Sequence, residues 1–262
     1  MQASSIKPLT GMKVLITRPE NDVAPLSTKL QALGATTLEL PTIAIVPPER
    51  TEALDRAIRG VEGYDWIIFT SVNGVRFFRE RADVLNVHLD NLKRVKVAAI
   101  GPATANALEQ LGWSPDYVPE EYLSEKIAVG LGDVNGKRVL LPRADIASKK
   151  LPSLLVERGA LVDEVVAYRT VIPADLTPKR LKSVLKEGVD LITFTSPSTV
   201  RNFAQALGSK ELAHLLETAK IACIGPVTVE TATESGLRVS IIAMNHTIDG
   251  LVEAIENEIR TI

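Results

Sequence analysis

Two Thr-Ser pairs, Thr70-Ser71 and Thr195-Ser196, each close an apolar run and open a stretch that reads as helix. Hydroxyls and free backbone N–H groups at such a junction can bind anionic oxygens. Further ends have the same character. Arg18 and Arg143 close apolar runs, and Thr104 and Thr228 close twin Ile-Gly-Pro-x-Thr turns at 100–104 and 224–228. At any single site, helix capping explains a Ser or Thr without a ligand. Four such ends kept in two matched copies, with arginines at two more, favour ligand binding.

Tyr168 stands apart. It lies in Val165-Val166-Ala167-Tyr168-Arg169, and its counterpart in the other copy is Ile43. Its phenol could give a proton or hydrogen bond to a leaving group. A tyrosine packed at a domain hinge accounts for it equally well, and residue type alone does not choose.

Other chemistries lack their residues. His88, His214 and His246 have no ligand spacing, so no metal is expected. The lone Cys223 excludes an intramolecular disulfide and a multi-Cys metal site, and its apolar run reads as a buried strand. There is no G-x-G-x-x-G, P-loop or G-x-S-x-G, and no carboxylate pair at a strand end. A net charge of -2 gives no general affinity for nucleic acid or anionic membranes. No apolar run approaches the roughly 20 residues a membrane helix needs. Residues 1–11 have no long apolar core and read as a loose leader, so a cytoplasmic or organelle-matrix location is expected.

The elements that position these groups come twice. Residues 65–78 and 190–203 lie 125 positions apart and share eight of fourteen residues. Residues 96–104 and 220–228 share six of nine, at an offset of 124. Arg138 to Arg143 repeats Lys13 to Arg18, Gly159-Ala160 repeats Gly34-Ala35, and 246–251 aligns with 122–127. A period near 125 is a duplicated domain rather than a solenoid. Short runs at 115–118 and 36–40 read as strands, Asp22 as a cap for the helix ending at Gly34, and 124–131 as helix.

Strands alternate with helices and are almost continuously apolar, which predicts parallel sheets covered on both faces. The expected fold class is α/β: two flavodoxin-like doubly wound domains from an internal duplication. A plain tandem would break at the turn 133–136. An exchange would cross at both Pro-containing segments, giving domain one as 12–46 plus 172–262 and domain two as 47–171. The matched extended segments suit a two-stranded connector, which favours exchange. In this class ligands collect at strand carboxyl ends, and the crossing would aim both sets at one cleft.

The ordered set resembles the uroporphyrinogen-III synthase family. It comprises Phe-Thr-Ser at 69–71 and 194–196, the two Ile-Gly-Pro-x-Thr turns, Val-Leu-Ile-Thr-Arg-Pro at 14–19, the tyrosine in 165–169 and His-Thr-Ile-Asp-Gly-Leu at 246–251. The resemblance spans about 12–258. It implies a cofactor-free monomeric enzyme of tetrapyrrole biosynthesis acting on hydroxymethylbilane, a linear tetrapyrrole with eight carboxylates. It also implies that Tyr168 assists hydroxyl departure and that Thr104 and Thr228 bind substrate. Thr70, Ser71, Asn73, Thr195, Ser196 and Ser198 would be strand-end contacts, and Arg18, Arg143 and Lys220 carboxylate partners. A non-catalytic hinged small-molecule-binding module is the competing reading, since fold alone does not separate the two.

Overall fold

A computed structural model describes residues 7–89, 94–208 and 219–260. His214 and the first six residues of the expected leader lie outside the described residues. The strands are β1 Lys13–Ile16, β2 Thr36–Glu39, β3 Ala44–Val46, β4 Trp66–Phe69, β5 Lys96–Ala99, β6 Arg138–Ala144, β7 Leu161–Val171, β8 Leu191–Phe194, β9 Lys220–Cys223 and β10 Ile241–Ile242. The helices are α1 Ala24–Ala32, α2 Glu52–Arg59, α3 Val72–Val84, α4 Pro102–Glu109, α5 Ser124–Gly130, α6 Lys150–Glu157, α7 Pro178–Lys186, α8 Pro197–Leu207, α9 Pro226–Glu234 and α10 Ile248–Arg260. The fold is α/β with parallel pairing.

The chain divides into two compact units. One runs to Ala44 and resumes at Val171; the other is 45–170. The first holds a five-stranded sheet in the order β10-β9-β8-β1-β2. Alternate side chains of β1 enter opposite cores. Leu15 packs with Phe194, Phe203 and Cys223, whereas Val14 and Ile16 pack with Leu26, Leu30 and Leu251. This is the two-residue period of a strand covered on both faces. Cys223 is fully buried in β9, and burial pushes its thiol up to about 12.

The second unit holds a sheet in the order β3-β7-β6-β4-β5. The same alternation governs it: Ile67 and Phe69 join one core, Trp66 and Ile68 the other. The first core includes Phe78 set edge-on to Phe69, with ring centroids 5.6 Å apart. β7 is long, at 11 residues, and only part of it pairs with β6. Its register with β6 shifts between Arg143 and Ala144, which sets Ala144 opposite Tyr168.

Glycine closes matched turns in the two units. Gly34 follows α1 with φ +98° and Gly159 follows α6 with φ +84°, both in the left-handed region that a side chain disfavours.

Two local expectations need correction. Asp22 does not cap α1: it lies in a short 3₁₀ turn, Glu20–Asp22, and the residue before the helix is Val23, with no side-chain cap. Residues 115–118 form no full strand. Only Ala98 and Tyr117 bridge there, because the Asp116 carboxylate takes the Val97 N–H at 2.7 Å, where a neighbouring strand would offer a carbonyl.

Candidate functional site

The second unit builds its site around the end of β4. The chain leaves Phe69 through Thr70, and Ser71 adopts extended backbone with φ −165°. Its Oγ accepts the Gly74 N–H at 3.0 Å, which caps α3. The helix packs closely three residues in: a Cβ on Gly74 would stand 3.0 Å from the Pro142 carbonyl oxygen and 3.3 Å from Ser71 Oγ.

β7 brings Tyr168 to the same place. The side chain is buried, at 8 % exposure. Its hydroxyl lies 2.9 Å from Ser71 Oγ. Its ring stacks on Phe77 of α3, with centroids 5.7 Å apart and planes inclined by 19°. The Arg76 guanidinium covers that same Phe77 ring at 4.6 Å and reaches Asn73 Oδ1 at 3.4 Å. The opening turns of α3 thus hold the phenol at its oxygen and along its ring.

Arg143 ends β6 nearby in the sheet and is 5 % exposed. Its Nη1 donates to Glu164 Oε1 at 3.2 Å, and Lys149 Nζ donates to the other carboxylate oxygen at 2.6 Å. Its buried Nε has no partner. Burial lowers the pKa of Arg143 from its ordinary value, while the Glu164 charge works the other way. In the third junction Thr104 is buried behind Gly101-Pro102 at the start of α4. The Tyr122 ring lies 3.1 Å from where a Gly101 Cβ would be, so glycine gives that ring its seat.

The first unit repeats the frame with different contents. Ser196 Oγ caps α8 through the Thr199 N–H at 3.3 Å. Thr195, Ser196 and Ser198 are half-buried, and Thr228 is buried at the start of α9. The His246 ring stands 3.0 Å from a Gly225 Cβ, as Tyr122 does at Gly101. Arg18 donates through Nε to the Asp22 carbonyl at 2.9 Å, and burial lowers its pKa. Lys220 does not join these groups. It opens β9, at the amino end of the strand, and its Nζ donates to Glu258 at 2.7 Å.

One feature of the first unit escaped the sequence reading. Thr42 Oγ1 reaches the carbonyls of Thr17 and Thr199, both at 3.2 Å. Thr17 Oγ1 donates to the Thr193 carbonyl at 2.8 Å, and Thr193 Oγ1 to Leu15 at 3.1 Å. At an offset of 125 the second unit has Pro142, Ala167, Ile68 and Gly74 instead of these four threonines. The first unit therefore ties its strand ends together with internal hydroxyl bonds. The second leaves room for an aromatic phenol. That pattern of Thr against non-hydroxyl residues was visible in the alignment of the repeats, whereas the Ser71–Tyr168 pairing was not.

A family model described as uroporphyrinogen-III synthase HemD matches residues 24–253. The chain belongs to the uroporphyrinogen-III synthase family. It is 33 % identical over 255 residues to the uroporphyrinogen-III synthase of Synechococcus elongatus, covering 95 % of this chain and 96 % of the relative. Its fold resembles the crystal structure of a mutant uroporphyrinogen III synthase from the extremely thermophilic bacterium Thermus thermophilus, with a TM-score of 0.66, 22 % identity, and coverage of 96 % of this chain and 100 % of the other. It also resembles uroporphyrinogen-III synthetase from Helicobacter pylori, with a TM-score of 0.64, 18 % identity, and coverage of 94 % and 99 %.

Within this family's frame, the geometry offers a buried phenol and strand ends rich in hydroxyl groups and helix N-termini. Such groups bind anions and pass a proton without a cationic surface. No helix among the described residues is long and apolar enough to cross a membrane.

Proposed function

We propose that this chain converts hydroxymethylbilane to uroporphyrinogen III, with loss of water and inversion of ring D, in tetrapyrrole biosynthesis. The observation that carries the reading is the Tyr168 hydroxyl held by Ser71 at the end of β4, in a chain of this family.

The C–O bond of the ring A hydroxymethyl breaks, and its electron pair leaves with the oxygen. Tyr168 gives that oxygen a hydrogen bond and a proton, so it departs as water. The pyrrole nitrogen lone pair fills the deficit and leaves an azafulvene cation. Ring D attacks through its substituted carbon to form a spiro intermediate. That intermediate fragments and recloses with ring D reversed, and the proton lost on re-aromatisation restores the phenol. The substrate's own nitrogens push out the leaving group, so the protein's main contribution is to hold a flexible polyanion in a closing conformation.

The proposed carboxylate contacts are Thr70, Asn73 and Thr104 in one unit and Thr195, Ser196, Ser198 and Thr228 in the other. Arg18 and Arg143 add charge. Lys220 is the weakest of the set, given its place at the amino end of β9. The reading includes action as a monomer, without a cofactor, in the cytoplasm or an organelle matrix.

The same proposal takes the units as two flavodoxin-like domains from one duplication, 12–46 with 172–262 and 47–171, joined by a two-stranded connector. The strand orders support it. Matched by repeat, β2-β1-β8-β9 and β7-β6-β4-β5 run in the same sequence; β10 adds to the first beyond β9, and β3 lies beside β7 in the second.

Incubating the purified protein with hydroxymethylbilane tests the function. Uroporphyrinogen III is the expected product. Only the type I isomer, which forms spontaneously, would sink the reading.

A further inference from the structure

We infer that Ser71 is a positioning residue for the Tyr168 phenol rather than a contact for substrate carboxylates; this rests on the function proposed above. A serine hydroxyl has one proton and two lone pairs. Ser71 Oγ already accepts the Gly74 N–H at 3.0 Å. Its remaining close partner is the Tyr168 oxygen at 2.9 Å, where either atom can be the donor. When Ser71 donates, its proton fills a lone pair of the phenol oxygen and the tyrosine proton is free to point elsewhere. A proton donor to a leaving hydroxyl needs that orientation.

The surroundings favour it. The Gly74 N–H belongs to the first turn of α3 and polarises Ser71 Oγ, which strengthens its O–H as a donor. The Phe77 stack limits swing of the Tyr168 ring, leaving rotation of the hydroxyl as the main freedom. The matching serine serves as a contrast. Ser196 also caps its helix, but Ile43 stands where Tyr168 stands in the other repeat, and Thr199 Oγ1 donates to the Ser196 carbonyl at 2.7 Å. Capping therefore explains the serine in both repeats, and the bond to a phenol is specific to Ser71.

The test is a double-mutant cycle on the full chain, following type III product from hydroxymethylbilane. Ser71→Ala is expected to lower kcat about two- to tenfold, the worth of one hydrogen bond, with KM little changed. Combined with Tyr168→Phe, it should cost nothing more in kcat. Ser71→Thr keeps the capping oxygen and the proton and suits the extended backbone, so it should restore kcat. If Ser71→Ala fails to fold, Ser71→Asp preserves a cap but supplies no proton, and its kcat should stay low at a wild-type melting temperature. Wild-type kcat in Ser71→Ala or Ser71→Asp would overturn the inference. So would losses that multiply in the double variant, since a cap or a substrate contact acts whether or not the phenol is there. Wild-type kcat in Tyr168→Phe would overturn it as well, by leaving no phenol to position. A wild-type protein that yields only type I product fails the function itself, which is a separate and recognisable result.

Discussion

Ser71 Oγ and the Tyr168 hydroxyl stand 2.9 Å apart although 97 positions separate them in the chain. The contact joins the junction after β4 to the long strand β7. The matching residues of the other repeat, Ser196 and Ile43, cannot make it, because isoleucine has no hydroxyl. The two sequence repeats thus share the serine, and only one of them pairs it with a phenol.

Tyr168→Phe keeps the ring, its stack on Phe77 and its place in the core. Only the hydroxyl goes. Turnover of hydroxymethylbilane should fall by about three- to tenfold, the range expected for one hydrogen bond. The melting temperature should change little, since Ser71 keeps its bond to Gly74. Steady-state kinetics with thermal unfolding checks both. Unchanged turnover would make the phenol a packing feature.

Most of the fold could be read from the repeat. The apolar runs at 66–69 and 191–194 became strands buried over all their residues, because period and composition report burial directly. The two misreadings differ in kind. Asp22 caps nothing because Glu20–Asp22 forms a 3₁₀ turn and the helix begins after Val23. At 115–118 a polar side chain competes with the backbone, and sequence does not say which partner wins. Asp116 illustrates it by taking the N–H that a strand carbonyl would have taken. The candidate residues were legible by type, but their partners were not. The Glu164 contact to Arg143 depends on how β6 and β7 are registered, and Lys220 came from the family resemblance, which does not say which end of the strand it opens.

Acid should weaken the second unit through Asp55. Arg81 holds its carboxylate with two bonds, at 2.6 and 2.7 Å, and that pairing is the main reason its pKa lies below the ordinary 3.8. A carboxylate whose pKa is lower folded than unfolded adds stability above the unfolded value and loses it as pH falls through the folded one. Its contribution is thus complete near neutrality and fades below about pH 4. Asp55→Asn should lower the urea midpoint at pH 7 and flatten the fall in stability below about pH 4. An unchanged acid slope would mean that other carboxylates govern it.

Gly250, in the His-Thr-Ile-Asp-Gly-Leu stretch, has a steric reason. A Cβ there would stand 2.1 Å from the Asn245 carbonyl oxygen, far inside contact distance, and that neighbour is backbone. Alanine would gain about 1 kcal/mol in helix propensity. Moving the turn off α10 should cost about 1–3 kcal/mol, and the close approach places the cost at the upper end. Gly250→Ala should therefore lower the melting temperature. A rise would show that 245–250 gives way cheaply.

Glu164 should matter more than an exposed carboxylate at similar distance from its arginine. Arg143 and Glu164 have side-chain exposures of 6 % and 22 %, with 3.2 Å between them. Arg79 and Asp83 lie 2.9 Å apart on α3 but are 32 % and 56 % exposed. Removing a carboxylate from a solvated pair costs under about 1 kcal/mol, since water takes over the solvation. Removing Glu164 leaves a buried guanidinium whose Nε already has no partner. An uncompensated buried charge costs about 3 kcal/mol or more. Lys149 would also lose its partner, but it is well exposed and adds little. Glu164→Gln should thus lower the unfolding free energy in urea by about 3 kcal/mol, and Asp83→Asn by about 0.5 kcal/mol. Equal losses would mean that water reaches Arg143 when Glu164 is gone, and that its burial is not what makes this ion pair count.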